Sequence, residues 1–170
     1  MEPALEWYKN AELWMLIVTV VSVIASAKGV IYQVKKSRET SKRLKAFDVI
    51  NSIEYKPVHE NGLKVLREFN DNEKTISRLV EDKYSEQCDD ILELLNHYEY
   101  LAVGVKEDIL CEKTLRKANY TSFLIIYEGS EEFITSLRKK YDAPTVFSEL
   151  EWMYKRWKKA GYDGPLPLVD

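Results

Sequence analysis

Between Leu13 and Ala27 the chain reads LWMLIVTVVSVIASA without a charge, and beyond Lys28 it continues GVIYQV before the Lys35-Lys36 pair. As a helix, the 22 residues from Leu13 to Val34 extend about 33 Å, against a hydrocarbon core of roughly 30 Å. This predicts a membrane-spanning helix over 13–34 that carries Leu13, Ile17, Val20 and Ile24. Trp14 and Tyr32 fall near its ends, where interfacial aromatics concentrate, with Trp7 and Tyr8 outside the first boundary. Lys28 is the exception, since a charge deep in lipid costs on the order of 3 kcal/mol, but it lies near the basic end and its stem can snorkel outward.

Other uses of such a run fit less well. A soluble core helix interrupts its apolar residues with a polar face, and here only Thr19, Ser22 and Ser26 interrupt them. A signal peptide cleaved at Ala25-Ser26-Ala27 calls for a positive leader, whereas Glu2, Glu6 and Glu12 outweigh Lys9. No later segment approaches the length of a second span.

The formal charge of -3 hides an asymmetry along the chain. Residues 28–45 hold seven Lys or Arg against Glu39, while the remainder from Ala46 onward is about seven charges negative. By the positive-inside rule the basic flank places residues 1–12 outside and the bulk of the chain in the cytoplasm, as a single-pass protein of a cell inner membrane or plasma membrane. Lys35, Lys36, Arg38, Lys42, Arg43 and Lys45 are then expected against anionic lipids of the inner leaflet, each contributing roughly 1 kcal/mol. Nucleic acid is the weaker partner, because no aromatic platform is interleaved with these cations.

The rest reads as all-α. Six Gly, five Pro and no run of alternating strands favour helices, and eleven Tyr with four Trp favour a packed fold. A basic juxtamembrane helix over 35–52 carries Leu44, Phe47 and Ile50 and ends at Lys56-Pro57. A second helix covers Asn61 to Phe69, with Asn70-Asp71-Asn72 as a break before Ile76, Leu79 and Val80 resume the pattern. From Ser85 to Lys106, residues Ile91, Leu94, Leu95, Tyr98, Leu101, Ala102 and Val105 form one wide apolar stripe. A helical turn or two around Glu112 to Lys117 follows, then a helix after Asn119 to about Lys140 in which Gly129 is a candidate kink. Asp142-Ala143-Pro144 reads as the start of a last helix, with Val146, Phe147, Leu150, Met153, Tyr154 and Trp157 on its buried face and Gly161 as its stop. The expectation is a cytoplasmic bundle of four or five helices over 53–161 and an extended tail over 162–170.

Two stretches, LNHYEYLAVGVKEDILCEKTLRKA (95–118) and FSELEWMYKRW (147–157), resemble a bacterial and phage family of single-pass membrane-anchored helical proteins classed only as a domain of unknown function. The resemblance covers nearly the whole chain and implies a protein of that architecture and origin. It transfers no catalytic residue. Cys111 departs from the acidic or polar residue expected there.

Chemistry-bearing clusters are sparse. His97 follows Glu93 by one helical turn, a spacing for a base and its orienter, yet a histidine beside a core stripe is the commoner case. Asp89, Asp90 and Glu93 suit a helix start better than a metal site. No GxxxxGK[ST], GxGxxG, HExxH or GxSxG occurs. Cys88 and Cys111 read as reduced, half-buried thiols, and Asn119-Tyr120-Thr121 as an unused glycosylation pattern. Neither a cofactor, a metal nor a catalytic residue is expected. Trp152, Arg156 and Trp157 form a possible partner face, set against the simpler arrangement of one buried and one surface Trp. The expected function is a non-enzymatic adaptor that binds an unknown cytoplasmic protein or its own copies as a homo-oligomer. The alternative is a membrane-acting effector of phage defence or superinfection exclusion, oligomerising through Ser22, Ser26 and Gly29 of the span.

Overall fold

The computed structural model describes residues 3–54, 57–71, 76–81 and 85–165, and every regular element among them is helical. The five α-helices are α1 (Pro3–Glu54), α2 (Pro57–Asp71), α3 (Ser85–Lys106), α4 (Glu112–Tyr141) and α5 (Ser148–Ala160). The chain divides into two units, Met1–Ser41 and Lys42–Asp170, and α1 contributes to both. Side chains before Asn10, including Trp7 and Tyr8, lie outside the described residues, as do 72–75 and 166–170.

In the second unit α3 is the central element, as its wide stripe requires. All seven of its predicted apolar residues are buried, and α2 and α5 pack against it. Its last turn shows why Gly104 is there. The N–H groups of Ile109 and Leu110 both donate to the Gly104 carbonyl, and Asp108 takes a left-handed conformation (φ 57°) as the chain reverses. A Cβ on Gly104 would stand 2.8 Å from Leu110 Cδ1, so the glycine seats the first buried residue of the returning chain.

Three sequence expectations are corrected. The turn at Glu112–Lys117 and the helix after Asn119 are one 30-residue helix, unbroken at Gly129. Its buried face continues from Leu115 and Arg116 through Phe123, Ile126, Tyr127, Ser130, Phe133 and Ile134 to Leu137, so tertiary burial bridges the polar stretch that looked like a boundary. The buried Ser130 hydroxyl donates to the Ile126 carbonyl at 2.6 Å, which satisfies that donor within the helix. Asp142, second, does not start α5. It closes α4 in a left-handed conformation, its N–H donating to Arg138 O, and α5 begins only at Ser148. Third, Ile76–Val80 is a short 3-10 helix rather than a resumed α-helix.

The other core contributions come from Val65, Leu66 and Phe69 of α2, Ile76 and Leu79 of the 3-10 helix, and Leu150, Met153 and Trp157 of α5. Aromatic rings knit the centre. Phe123 meets Tyr98 edge-on at 4.7 Å between centroids and Trp157 at 4.6 Å, while Tyr127 stacks on Tyr154 at 4.3 Å. On α1 the buried residues of this unit are Lys42, Ala46 and Ile50, whereas Leu44 and Phe47, expected on the core stripe, are more than half exposed.

Helices α2 and α3 approach closely at Gly62, where an added Cβ would lie 2.7 Å from Leu94 Cβ and 2.9 Å from the Asp90 carbonyl oxygen. Neither neighbour is a flexible side-chain end. Gly62→Ala is therefore expected to destabilise the fold by about 1–3 kcal/mol in denaturant unfolding. Gly29→Ala, where a Cβ meets nothing within 4 Å, is expected not to lower the transition.

Candidate functional site

The apolar segment of α1 is exposed along its whole length. Among the described residues one helix, within Asn10–Ser52, is long and apolar enough to cross a membrane, and its most apolar 18-residue window has mean hydropathy 2.0 with none of it buried. Every residue from Leu13 to Val34 is exposed, including Ile17, Val20, Ile24, Lys28 and the aromatics Trp14 and Tyr32. Thr19, one of its few polar residues, donates its hydroxyl to the Met15 carbonyl at 2.8 Å, so the helix satisfies that donor itself.

The basic run divides. Lys35, Lys36, Arg38, Arg43 and Lys45 are exposed. Lys42 is not available to a lipid surface. It is only 9 % exposed, and its ammonium donates to Asp108 Oδ1 at 2.6 Å. The spacing Lys42-Ala46-Ile50 places it on the buried stripe, a signal present in the sequence but masked there by the count of cations.

The proposed partner face is also rearranged. Trp157 is fully buried and its indole N–H donates to Glu112 Oε1 at 3.0 Å. Arg156 is buried too, donating from Nε to Glu112 Oε1 at 2.8 Å and from Nη2 to Oε2 at 3.2 Å. Trp152 is half-buried with cations on its ring, Lys106 Nζ at 5.7 Å and Arg156 Cζ at 5.5 Å. These three residues build the α4–α5 junction rather than an open face.

Glu99 has a role that its own neighbourhood in the sequence does not announce. The residue before α5 is Phe147, in a left-handed conformation and with no side chain able to cap. Glu99 of α3 supplies the cap, its carboxylate accepting the N–H of Glu149 at 3.2 Å and of Leu150 at 2.6 Å. Its charge also complements the helix dipole. Lys106 then bridges from the end of α3 to both carboxylate oxygens of Glu149, at 3.0 and 2.8 Å. Partners some 50 residues apart leave no periodic trace from which to predict them.

The groups weighed for catalysis are placed otherwise. His97 is half-buried with its ring edge-on to Tyr98 at 5.7 Å, and Glu93 is exposed. Burial, reinforced by Asp89, raises the Cys88 thiol above its usual range, which disfavours a thiolate nucleophile. No group of three or more His, Cys, Asp or Glu among the described residues is arranged to hold a metal ion. His59, by contrast, touches the core, its Nε2 lying 3.0 Å from the Tyr98 hydroxyl. Burial lowers its pKa despite the opposing charge of Glu60.

A domain of unknown function, DUF4760, matches residues 16–157. The chain belongs to the DUF4760 family. No curated protein and no solved structure matches it. The DUF4760 match begins inside the apolar segment of α1 and ends at the last buried turn of α5, so the apolar helix and the packed helices are parts of one family unit.

Glu99→Ala is expected to lower stability by about 1–2 kcal/mol, read as a shift of the denaturation midpoint, with Glu99→Gln recovering part of it. For His59 the folded pKa lies below the ordinary 6.5, so the unfolded chain takes up the proton first. Its contribution is complete above about pH 6.5 and is lost as pH falls below it. Unfolding midpoints measured between about pH 6.5 and 5 should fall less steeply for His59→Gln than for the wild type.

Proposed function

We propose that this DUF4760 protein is anchored in a bacterial membrane by the apolar segment of α1 and that its helical unit serves as a non-enzymatic interaction module at the cytoplasmic face. The complete exposure of Leu13 to Val34 carries the reading, because a core helix of the same composition would be buried. The flanks support the orientation, with acidic residues before the segment and exposed Lys35, Lys36 and Arg38 after it. The interaction partner in this reading is a cytoplasmic protein or further copies of the chain. A second reading, a membrane-acting effector of phage defence or superinfection exclusion, draws on the exposed Ser22, Ser26 and Gly29 and on the open space over Gly29, which permit close approach of a second span.

The full chain is expected to remain in the membrane pellet after alkaline carbonate washing. Ile24→Arg near the centre of the span costs about 3 kcal/mol on insertion scales and should shift part of it to the supernatant. A wild-type chain released by carbonate would refute the anchor. Anchor-dependent dye release from vesicles would favour the effector over the adaptor.

A further inference from the structure

On the packed unit, Arg43 and Phe47 of α1 face Lys113, Thr114, Lys117 and Ala118 of α4 across an open groove of about 470 Å³. Three cations line it and no carboxylate does. Among the described residues none of the three forms an ion pair. The adjacent acid, Glu112, is turned away, its oxygens held by Arg156 and Trp157. Lys113 and Lys117 stand four residues apart on one helix face, a like-charge pair that is unfavourable until an anion joins it. Lys113 and Lys117 lie in a stretch of chain, from Ala46 onward, whose net charge is about seven negative. The positive groove is therefore a local exception to the unit's charge.

Its apolar component separates a lipid from a simple ion. The Phe47 ring is 54 % exposed within the groove, and Leu44, one turn earlier, is 58 % exposed. Exposed apolar groups beside cations match the boundary between a phosphate headgroup and the glycerol and acyl carbons beneath it. The Thr114 hydroxyl adds a hydrogen-bond donor of the kind phosphate oxygens accept. Eight residues, 35–42, separate Arg43 from the end of the apolar run at Val34.

We infer that the groove formed by Arg43, Lys113 and Lys117 around Phe47 docks the phosphate headgroup of an anionic membrane lipid. The inference deepens the membrane-anchored reading and rests on it. The full chain in neutral maltoside micelles is titrated calorimetrically with dihexanoyl-phosphatidylglycerol, dihexanoyl-phosphatidylcholine and inorganic phosphate. Saturable binding of the phosphatidylglycerol is expected, with weaker binding of the other two. The combined change Arg43→Gln, Lys113→Gln, Lys117→Gln should weaken it at least about tenfold, and Phe47→Ala should weaken it while leaving phosphate unaffected. Lys139→Gln with Lys159→Gln serves as a control of equal charge type, and an unchanged thermal midpoint confirms that each variant is folded. Wild-type affinity in the triple variant, or phosphate bound as tightly as the lipid, would overturn the assignment. Binding in micelles requires no insertion, so a failure here with carbonate-resistant anchoring intact refutes the groove alone, whereas release by carbonate refutes the anchor.

Discussion

The carboxylate of Glu112 accepts hydrogen bonds from the Arg156 guanidinium and from the Trp157 indole at the junction between the start of α4 and the end of α5. A buried guanidinium without its carboxylate is strongly unfavourable, so the two helix ends are held in register by a charge that has few alternatives. Trp157 is thereby kept in the centre of the fold against Phe123, which in turn meets Tyr98 of α3. The same bond sets the surface outside it. With Glu112 turned inward, Lys113 and Lys117 are left without a neighbouring acid, and the first turns of α4 present a positive face.

The helical class, the whole of α3 and the buried face of α5 were legible because each rests on a local period. A stripe of seven apolar residues over four turns has one solution, and Ser85–Lys106 is folded as read. Boundaries fared worse where a polar stretch crosses a buried helix, as at Lys117–Asn119, because burial of the flanking turns outweighs weak local preferences. Asp142 illustrates another ambiguity. An Asp before Ala-Pro suits a helix start, yet it also tolerates the left-handed conformation that ends one, and here the preceding helix claims it.

The basic run was expected to face lipid as one set, and Lys42 departs from it. The run from Lys35 to Lys45 is basic, but Lys42 lies on the stripe of Ala46 and Ile50 and is bound to Asp108. Its stem covers apolar surface while its ammonium finds a partner 66 positions away. Arg156 and Trp157, expected on a partner face, are drawn inward for the same reason, since their acceptor Glu112 is remote in sequence. Side chains that neutralise each other across a core leave no pattern in either neighbourhood.

The cap that α3 provides for α5 bears on the order in which the fold assembles. A 13-residue helix beginning after Phe147 falls at the length where isolated helices are marginal in water. It therefore depends on a carboxylate synthesised about fifty residues earlier, at Glu99. As the chain emerges from the ribosome, α3 waits with an acceptor that nothing yet fills, and the aromatic centre stays open until Trp157 arrives. Closure of the core is thus deferred to α5, and a truncation there would leave the earlier helices with their apolar faces uncovered.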